Sequence, residues 1–134
     1  MTNKEILQAA FAETAKGNGR LFVEMLAEDV KWTIIGSTDW SRTFEGKAAV
    51  IQTLLRPLAE QLEGRNVVSA TRFIAEGDTI AVEARNHSRT KHGSAYPNRY
   101  CWIFVMRAGK VAEITEYCDT QLVQDVLRYP TNSE

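Results

Sequence analysis

The chain has 134 residues, of which 44% are hydrophobic and 25% charged, and its formal net charge is −1. These values are typical of a soluble globular domain, and they provide no excess of positive charge to attract nucleic acid or an anionic membrane. No apolar run approaches the roughly 18 residues that a membrane-spanning helix needs. We therefore expect a single domain over residues 1–134, a cytoplasmic location, and neither nucleic acid nor membrane as a partner.

The sequence contains no motif for a metal or a nucleotide cofactor. The two cysteines, Cys101 and Cys118, have neither CxxC spacing nor a histidine-rich neighbourhood, which argues against a zinc site. Glycine-rich phosphate loops and the HExxH motif are also missing from the sequence. We expect no cofactor and no metal.

Apolar residues at helical spacing predict three helices in the first half of the chain, over residues 3–16, 20–26 and 47–63. Pro57 lies inside the third and predicts a kink or a break there. A strand is predicted over residues 30–35. The polar loop that follows, residues 36–46, carries Trp40 and Phe44, which either form a lid over something apolar or anchor the loop on the core.

The second half of the chain is predicted to be mainly strand, over residues 65–76, 79–90, 98–107 and 110–118. A last helix is expected to run to residue 127, with Asp119 as its N-cap. Helices followed by a meander of long strands predict an α+β fold, in which an antiparallel sheet curls against the helices.

The hairpin between residues 98 and 118 indicates which side chains share a face of the sheet. A three-residue turn over residues 107–109 would pair Trp102 with Ile114, and Tyr100 with Glu116. This face then combines large aromatic residues with a carboxylate. The opposite face is also largely apolar, so we expect the helices to cover one face and a second copy of the chain to cover the other, in a homodimer.

Residues 82–87 read VEARNH and predict a strand with Glu83, Arg85 and His87 on one face. If that face is solvated, the strand is an ordinary outer strand. If it joins Tyr100 and Glu116, several polar groups converge in an apolar concavity, as they do in small-ligand sites. The residues alone leave both arrangements open.

The order of elements over residues 3–127, together with the endings AYPNRYCWIFVMRAGK and GKVAEITEYCDTQLV, resembles the SnoaL-like branch of the nuclear transport factor 2-like superfamily. That superfamily includes ketosteroid isomerases, polyketide cyclases and limonene epoxide hydrolase. The resemblance implies a cone-shaped α+β fold, with a curved antiparallel or mixed sheet wrapped on the N-terminal helices and enclosing a pocket.

The resemblance also implies roles for particular residues. Glu116, in the segment EYCD, matches a catalytic or pocket carboxylate of the family. Glu83 and Arg85 match an Arg-x-Asp pair of the epoxide hydrolases with the charges reversed. The resemblance therefore implies that Glu83, Arg85 and His87 point inward and line the pocket, with Arg85 in an ion network between Glu83 and Glu116. The base of a ketosteroid isomerase would fall at or beside Thr33, which cannot replace it, so this activity is not expected.

The sequence leaves two functions open. The first is a cofactor-independent acid–base enzyme, of the isomerase, cyclase, hydratase or hydrolase type, that acts on a small apolar or polycyclic molecule. The second is a non-catalytic domain that binds a small molecule or dimerises. In the enzyme, the catalytic residues are Glu116, Arg85 and Glu83. The predicted ligand-binding residues are His87, Asn98, Tyr100, Trp102, Trp40, Thr33 and Ile114.

Overall fold

The computed structural model describes residues 1–130, which form helices and then strands, as predicted. The elements are α1 (Asn3–Thr14), α2 (Arg20–Glu24), β1 (Leu26–Ile34), β2 (Thr43–Glu45), α3 (Lys47–Ala49), a π-helical segment (Val50–Leu55), α4 (Arg56–Gln61), β3 (Val68–Glu76), β4 (Thr79–Asn86), β5 (Ser88–Arg89), β6 (Ala95–Tyr96), β7 (Arg99–Arg107), β8 (Lys110–Cys118) and α5 (Thr120–Val126). This architecture confirms the α+β class.

The main sheet has six strands in the order β2-β1-β8-β7-β4-β3. Strands β1 and β8 run parallel, and every other neighbouring pair is antiparallel, so the sheet is mixed. Strands β5 and β6 form a separate two-stranded sheet. The parallel pair places the end of β1 beside Glu116, because Ile34 is its partner on β8.

The core lies between one face of the sheet and the helices, and alternation along the strands defines it. In β7, Tyr100, Trp102, Phe104 and Met106 are buried, while the residues between them are half-buried on the other face. The ring of Phe104 has no exposed surface and packs against the rings of Phe11 and Phe22, at centroid distances of 6.0 and 6.2 Å. Aromatic residues of the sheet and of α1 and α2 thus form one continuous apolar cluster.

The hairpin between β7 and β8 differs in register from the prediction. The turn has only two residues, Ala108 and Gly109, both with positive φ (51° and 77°), as a tight primed hairpin turn requires. A bulge follows at Ala112, where the register shifts. Trp102 therefore pairs with Glu116, and not with Ile114. The turn is one residue shorter than predicted, and the bulge adds one residue to β8, so the partner of Trp102 moves by two positions. The side chains predicted to share a face still share it, because side chains alternate along a strand with a period of two.

The third predicted helix is one helical segment over residues 47–61, and Pro57 does not interrupt it. A proline has no N–H to donate to the carbonyl four residues earlier, which here belongs to Thr53. The hydroxyl of Tyr129 donates to that carbonyl instead, at 2.8 Å. The π-helical segment Val50–Leu55 directly precedes α4, which has Pro57 in its first turn. In the part of the chain that the structure describes, no helix is long and apolar enough to cross a membrane.

Candidate active site

A cavity of about 690 Å³ lies between the sheet and the helices. Its walls are mostly apolar and aromatic, and they include Phe11, Phe22, Trp32, Ile34, Trp40, Leu54, Leu55, Leu58, Val68, Tyr96, Tyr100, Trp102, Val123 and Leu127. Exposed polar residues, Arg20, Glu24 and Arg65, lie at its rim. Pockets of this size and composition are typical of sites for small organic molecules.

Among residues 1–130, Glu116 is the one acidic side chain in the interior wall of this cavity, since the other acidic lining residue, Glu24, is exposed at the rim. The Glu116 residue is 8% exposed. The indole N–H groups of Trp32 and Trp102 both donate to the same oxygen, Oε1, at 3.1 and 2.9 Å. This arrangement fixes the carboxyl group in position and leaves the second oxygen, Oε2, without an N–H or O–H donor among residues 1–130.

The environment of Glu116 favours its protonated form. Burial raises the pKa of the Glu116 carboxyl above its ordinary value of 4.5, and the hydrogen bonds from Trp102, Trp32 and Cys118 offset part of that increase. No lysine, arginine or histidine of the described residues forms an ion pair with it. A carboxyl group with a raised pKa in an apolar pocket is suited to giving or taking a proton.

Trp32 lines the cavity, although it is not among the ligand-binding residues given above. In β1, Val30, Trp32 and Ile34 are buried, and the residues between them face the other side. The sequence VKWTI shows this alternation directly, because apolar residues occupy every second position. The predicted set contains the neighbouring residue Thr33 instead, which the resemblance placed at or beside the position of the ketosteroid isomerase base.

Two tyrosines stand beside Glu116 in the cavity wall, and each is held by an asparagine. The Nδ2 atom of Asn86 donates to the hydroxyl oxygen of Tyr100 at 3.2 Å, and that of Asn98 donates to the hydroxyl oxygen of Tyr96 at 2.9 Å. Burial raises the pKa of Tyr96 and that of Tyr100, and the Glu116 carboxylate contributes to both increases. Both phenols are therefore neutral hydrogen-bonding groups at physiological pH.

The aromatic wall has a defined stacking order. The rings of Tyr100 and Trp102 are stacked with centroids 4.3 Å apart and an angle of 11° between their planes. Phe11 stacks on Trp102 at 5.6 Å. On the far side of the cavity, Trp40 packs edge-to-face on Tyr129, with ring centroids 4.8 Å apart. Trp40 is buried and lines the cavity, a position that fits both of the arrangements left open for its loop.

The prediction that Glu83, Arg85 and His87 point inward is wrong. All three side chains are exposed on the outer face of β4 and of the residue that follows it. Glu83 forms a salt bridge with Arg72, with 2.8 Å between Oε1 and Nε, and His87 contacts the hydroxyl of Ser69. Because Ile80, Val82 and Ala84 occupy the buried positions, the charged residues necessarily face solvent. The proposed ion network with Glu116 does not form.

Three further residues predicted to bind the ligand lie outside the cavity lining. Thr33 points to the outer face, where its hydroxyl contacts that of Thr43 at 2.9 Å. Ile114 is 1% exposed and belongs to the core. Asn98 is fully buried and acts on the cavity only through Tyr96. Of the predicted residues, Glu116, Tyr100, Trp102 and Trp40 do line the cavity.

Within residues 1–130, no group of three or more histidine, cysteine or acidic side chains is arranged to hold a metal ion. Cys118 is half-buried near Glu116, and burial raises the pKa of its thiol to about 12. This thiol is therefore a poor metal ligand and nucleophile at neutral pH. The chemistry that the site offers is that of one carboxyl group, two phenols and an apolar cavity.

The chain is an α+β domain in which a mixed sheet packs on N-terminal helices. An apolar cavity lies between them, with the carboxyl group of Glu116 in its wall. The family model described as the SnoaL-like domain matches residues 7–114. The chain belongs to the SnoaL-like domain family, which confirms the resemblance seen in the sequence. None of the curated proteins matches this chain in sequence.

Solved structures share the fold over almost the whole chain. An NTF2-like protein from Burkholderia thailandensis E264 is similar with a TM-score of 0.80 and 19% identity, over 94% of this chain and 97% of that one. Another, from Burkholderia xenovorans LB400, has a TM-score of 0.71 and 26% identity, over 94% and 95%. TerC, co-crystallised with polyporic acid, has a TM-score of 0.76 and 20% identity, over 92% and 96%.

Proposed function

We propose that the chain is a cofactor-independent acid–base enzyme that acts on a small, largely apolar molecule bound in the cavity. Its reaction is of the isomerase, cyclase, hydratase or hydrolase type, and Glu116 transfers the proton. The observation that carries this proposal is the position of Glu116: a buried carboxyl group in the cavity lining with a raised pKa, no cationic partner among the described residues, and both indole N–H donors on one oxygen, Oε1.

In this proposal the two oxygens of the Glu116 carboxyl group have different roles. Oε1 is held by Trp32 and Trp102, so the plane of the carboxylate is fixed before a ligand arrives. Oε2 takes a proton from an acidic C–H or O–H bond of the ligand, whose electron pair moves onto an adjacent oxygen or carbon. The same oxygen returns the proton at another position, so that the enzyme is unchanged and no oxidant or reductant is needed.

The apolar walls contribute by excluding water from the proton transfer. A carboxylate in an apolar cavity is less well solvated and therefore more basic than in water. Members of the SnoaL-like and nuclear transport factor 2-like group are often isomerases or cyclases without a cofactor, which supports this class of reaction. The co-crystal of TerC with polyporic acid supports the use of this fold to bind a small organic molecule.

Proton exchange tests the proposal without knowledge of the natural substrate. The protein is incubated in D₂O with 1-tetralone, a bicyclic ketone small enough for the cavity, and the loss of the ketone's α-proton signal is followed by ¹H NMR. We expect exchange well above the buffer rate. Exchange at the buffer rate with 1-tetralone and with a panel of enols, epoxides and polyketide-like ketones would contradict the proposed enzyme.

The second candidate is a non-catalytic small-molecule-binding or dimerisation domain of the same fold. Its support is the double hydrogen bond to Oε1, because two indole donors also suit a carboxyl group that only holds the sheet and β1 together. The two candidates differ in whether the Glu116 proton moves, which the exchange experiment measures.

The outer face of the sheet supports a homodimer. Three large apolar side chains are exposed there: Ile35 (42%), Ile74 (57%) and Tyr117 (48%). Arg85 and Arg99 pair across the strands towards one end of this face, and Glu113 lies towards the other. A two-fold axis through the centre of the face would bring the arginines of one copy to the glutamate of the other.

We expect the protein to sediment as a dimer, and Tyr117→Arg to shift it towards monomer by placing two like charges in the apolar centre of the interface. Analytical ultracentrifugation over a concentration series measures both. The matched control is Gln8→Arg, an exposed residue of α1, which is expected to stay dimeric. A wild-type protein that remains monomeric over the whole series would contradict the dimer.

A further inference from the structure

The rim of the cavity differs from its walls in carrying charged and polar side chains. Arg65 and Asn66 belong to the loop between α4 and β3, and both line the cavity. Arg65 is exposed and Asn66 is half-buried, so neither is sealed inside the core. The hydrogen-bonding groups that these two side chains leave free therefore determine how this part of the rim receives a ligand.

The orientation of the Asn66 amide follows from its neighbours. The backbone N–H of Ser88 donates to Oδ1 of Asn86 at 2.7 Å, so Nδ2 of Asn86 is the atom that faces Asn66, at 2.9 Å. An amide nitrogen can only donate, so the Asn66 atom that it meets must be the oxygen, Oδ1. The hydroxyl of Ser88 donates to the same oxygen at 3.0 Å. Nδ2 of Asn66 therefore faces away from both neighbours.

The Nδ2 group of Asn66 is a donor without an acceptor among residues 1–130, since the hydrogen bonds of this amide all go to its oxygen. Within those residues, the only side-chain nitrogen or oxygen that is both fully buried and unpartnered is Nε1 of Trp40. Nδ2 of Asn66 thus remains accessible. An accessible, oriented donor in the lining of a cavity can bind an acceptor of the ligand.

The stem of Arg65 packs on the turn between α1 and α2. Gly17 lies in that turn with a positive φ of 82°, and a Cβ atom at this position would come within 2.9 Å of Cβ and 3.1 Å of Cδ of Arg65. Glycine permits this close approach because it has no Cβ. The guanidinium group at the end of the stem forms no ion pair with the other residues that the structure describes. It is therefore available to an anion from outside the chain.

The charges around the rim leave one positive charge uncompensated. Arg20 forms an ion pair with Glu24, with 3.6 Å between Nε and Oε2, so these two charges offset each other. Glu63 is close to Arg65 in the sequence, but it neither lines the cavity nor pairs with that arginine within residues 1–130. The interior wall has no lysine, arginine or histidine in the described part of the chain. An anionic group is therefore stabilised at the rim and destabilised inside.

We infer that Arg65 and Asn66 form a carboxylate-binding site at the rim, and that the ligand of this cavity is an apolar ring compound that carries one carboxylate group. The inference rests on the proposed function in using the same cavity, and it names the class of substrate. A planar guanidinium group matches the two oxygens of a carboxylate, and the Asn66 amide adds a further donor beside it. The single uncompensated charge matches a carboxylate, which carries one negative charge.

The site at the rim also sets which end of the ligand meets Glu116. With its carboxylate held by Arg65 and Asn66, the ligand extends its apolar part into the aromatic interior, where the rings of Tyr100 and Trp102 are stacked. The reverse orientation would bring the ligand carboxylate to the buried carboxyl group of Glu116, with no cation beside either group. The rim therefore selects one orientation, and the reacting atoms are those at the end remote from the carboxylate.

A matched pair of probes, 2-naphthylacetate and 2-naphthylacetamide, tests the inference. The two molecules have the same ring system and nearly the same shape, and only the first is charged. Isothermal titration calorimetry at neutral pH gives the dissociation constant of each. We expect the wild-type protein to bind the acetate about tenfold more tightly than the amide, and Arg65→Gln to bind both equally.

A second variant, Asn66→Asp, changes only the free end of the side chain. One aspartate oxygen still accepts from Asn86 and Ser88, and the other replaces the donor Nδ2 with an acceptor. We expect this variant to bind the acetate more weakly than the amide, because two carboxylates then face each other. Affinity for the neutral amide is expected to stay at the wild-type value in both variants, which shows that the cavity is intact.

The control for net charge is Arg56→Gln, because Arg56 is exposed and does not line the cavity. Its preference for the acetate is expected to equal that of the wild-type protein. Equal affinities of the wild-type protein for the two probes, or a preference that persists in both Arg65→Gln and Asn66→Asp, would overturn the inference.

The binding experiment does not depend on catalysis, so the inference and the proposed function are tested separately. Glu116→Gln is expected to keep the preference for the acetate and to lose proton exchange in 1-tetralone. A wild-type protein that prefers the acetate without exchanging protons would support the carboxylate site and contradict the proposed enzyme.

Discussion

Replacing Glu116 with glutamine is expected to lower the rate of α-proton exchange in 1-tetralone by about 10²–10⁴-fold, the usual contribution of a positioned acid or base. Glutamine has the same shape, and its side-chain oxygen can still accept the indole N–H groups of Trp32 and Trp102. The cavity therefore keeps its form while the titrating group is lost. The measurement is the initial exchange rate by ¹H NMR at saturating ketone, compared with wild type.

The matched control for this variant is Glu76→Gln at the end of β3. Glu76 is exposed and does not line the cavity, so the substitution makes the same chemical change away from the site. We expect its exchange rate to equal that of the wild-type protein. A Glu116→Gln variant that retains the wild-type rate would show that another group moves the proton.

The same substitution is expected to stabilise the fold at neutral pH. Burial raises the pKa of Glu116 above its ordinary value of 4.5, so the folded state binds the proton more tightly than the unfolded state. Below 4.5 the side chain is protonated in both states, and its full contribution to stability is present. As the pH rises through the folded-state pKa, the wild-type protein must bury a carboxylate and loses stability, whereas the glutamine variant does not.

Thermal unfolding of both proteins across a pH series measures this difference, because every other titrating group is shared and cancels. The melting temperature of Glu116→Gln is expected to match wild type at acidic pH and to exceed it increasingly towards neutral pH. The site thus reduces stability in favour of function, as catalytic groups in apolar surroundings commonly do. A wild-type protein that gains stability over the variant as the pH rises would indicate a lowered pKa for Glu116.

The sequence predicts the helices, the strands and their buried faces, because these features depend on local patterns of residues. Strand alternation in residues 99–107 places Tyr100, Trp102 and Phe104 on one face whatever the exact register. Asp119 caps the last helix, as predicted, and Thr2 caps the first. These features require only the chemistry of neighbouring residues.

The errors in the predicted site arose where the alternation of apolar residues in a strand conflicted with the resemblance to a known family. Residues 80–84 alternate Ile80, Val82 and Ala84 with polar residues, which by itself predicts that Glu83 and Arg85 face solvent. The resemblance to epoxide hydrolases favoured the opposite face. The structure follows the apolar alternation, because burying the charges of Glu83 and Arg85 would be costly, whereas on the outer face Glu83 pairs with Arg72 in contact with solvent.

Other parts of the site depend on contacts that no single sequence pattern contains. Trp32 and Trp102 are 70 positions apart in the chain, and they meet at Glu116 only because β1 and β7 flank β8 in the sheet. The bulge at Ala112 that sets this register has no strong signal in the segment KVAEI. The asparagines that orient Tyr96 and Tyr100 act through loop backbone groups, which pattern analysis does not place.

The central claim is that Glu116 is a proton-transfer group, and its own titration tests this most directly. Carboxyl ¹³C NMR of glutamate-labelled protein follows the side chain from acidic to alkaline pH, and Glu116→Gln identifies its resonance. We expect a pKa clearly above 4.5, because burial outweighs the indole and thiol hydrogen bonds. A value at or below 4.5 would mean that those hydrogen bonds hold a permanent carboxylate, and the protein would then be a binding domain without acid–base chemistry at Glu116.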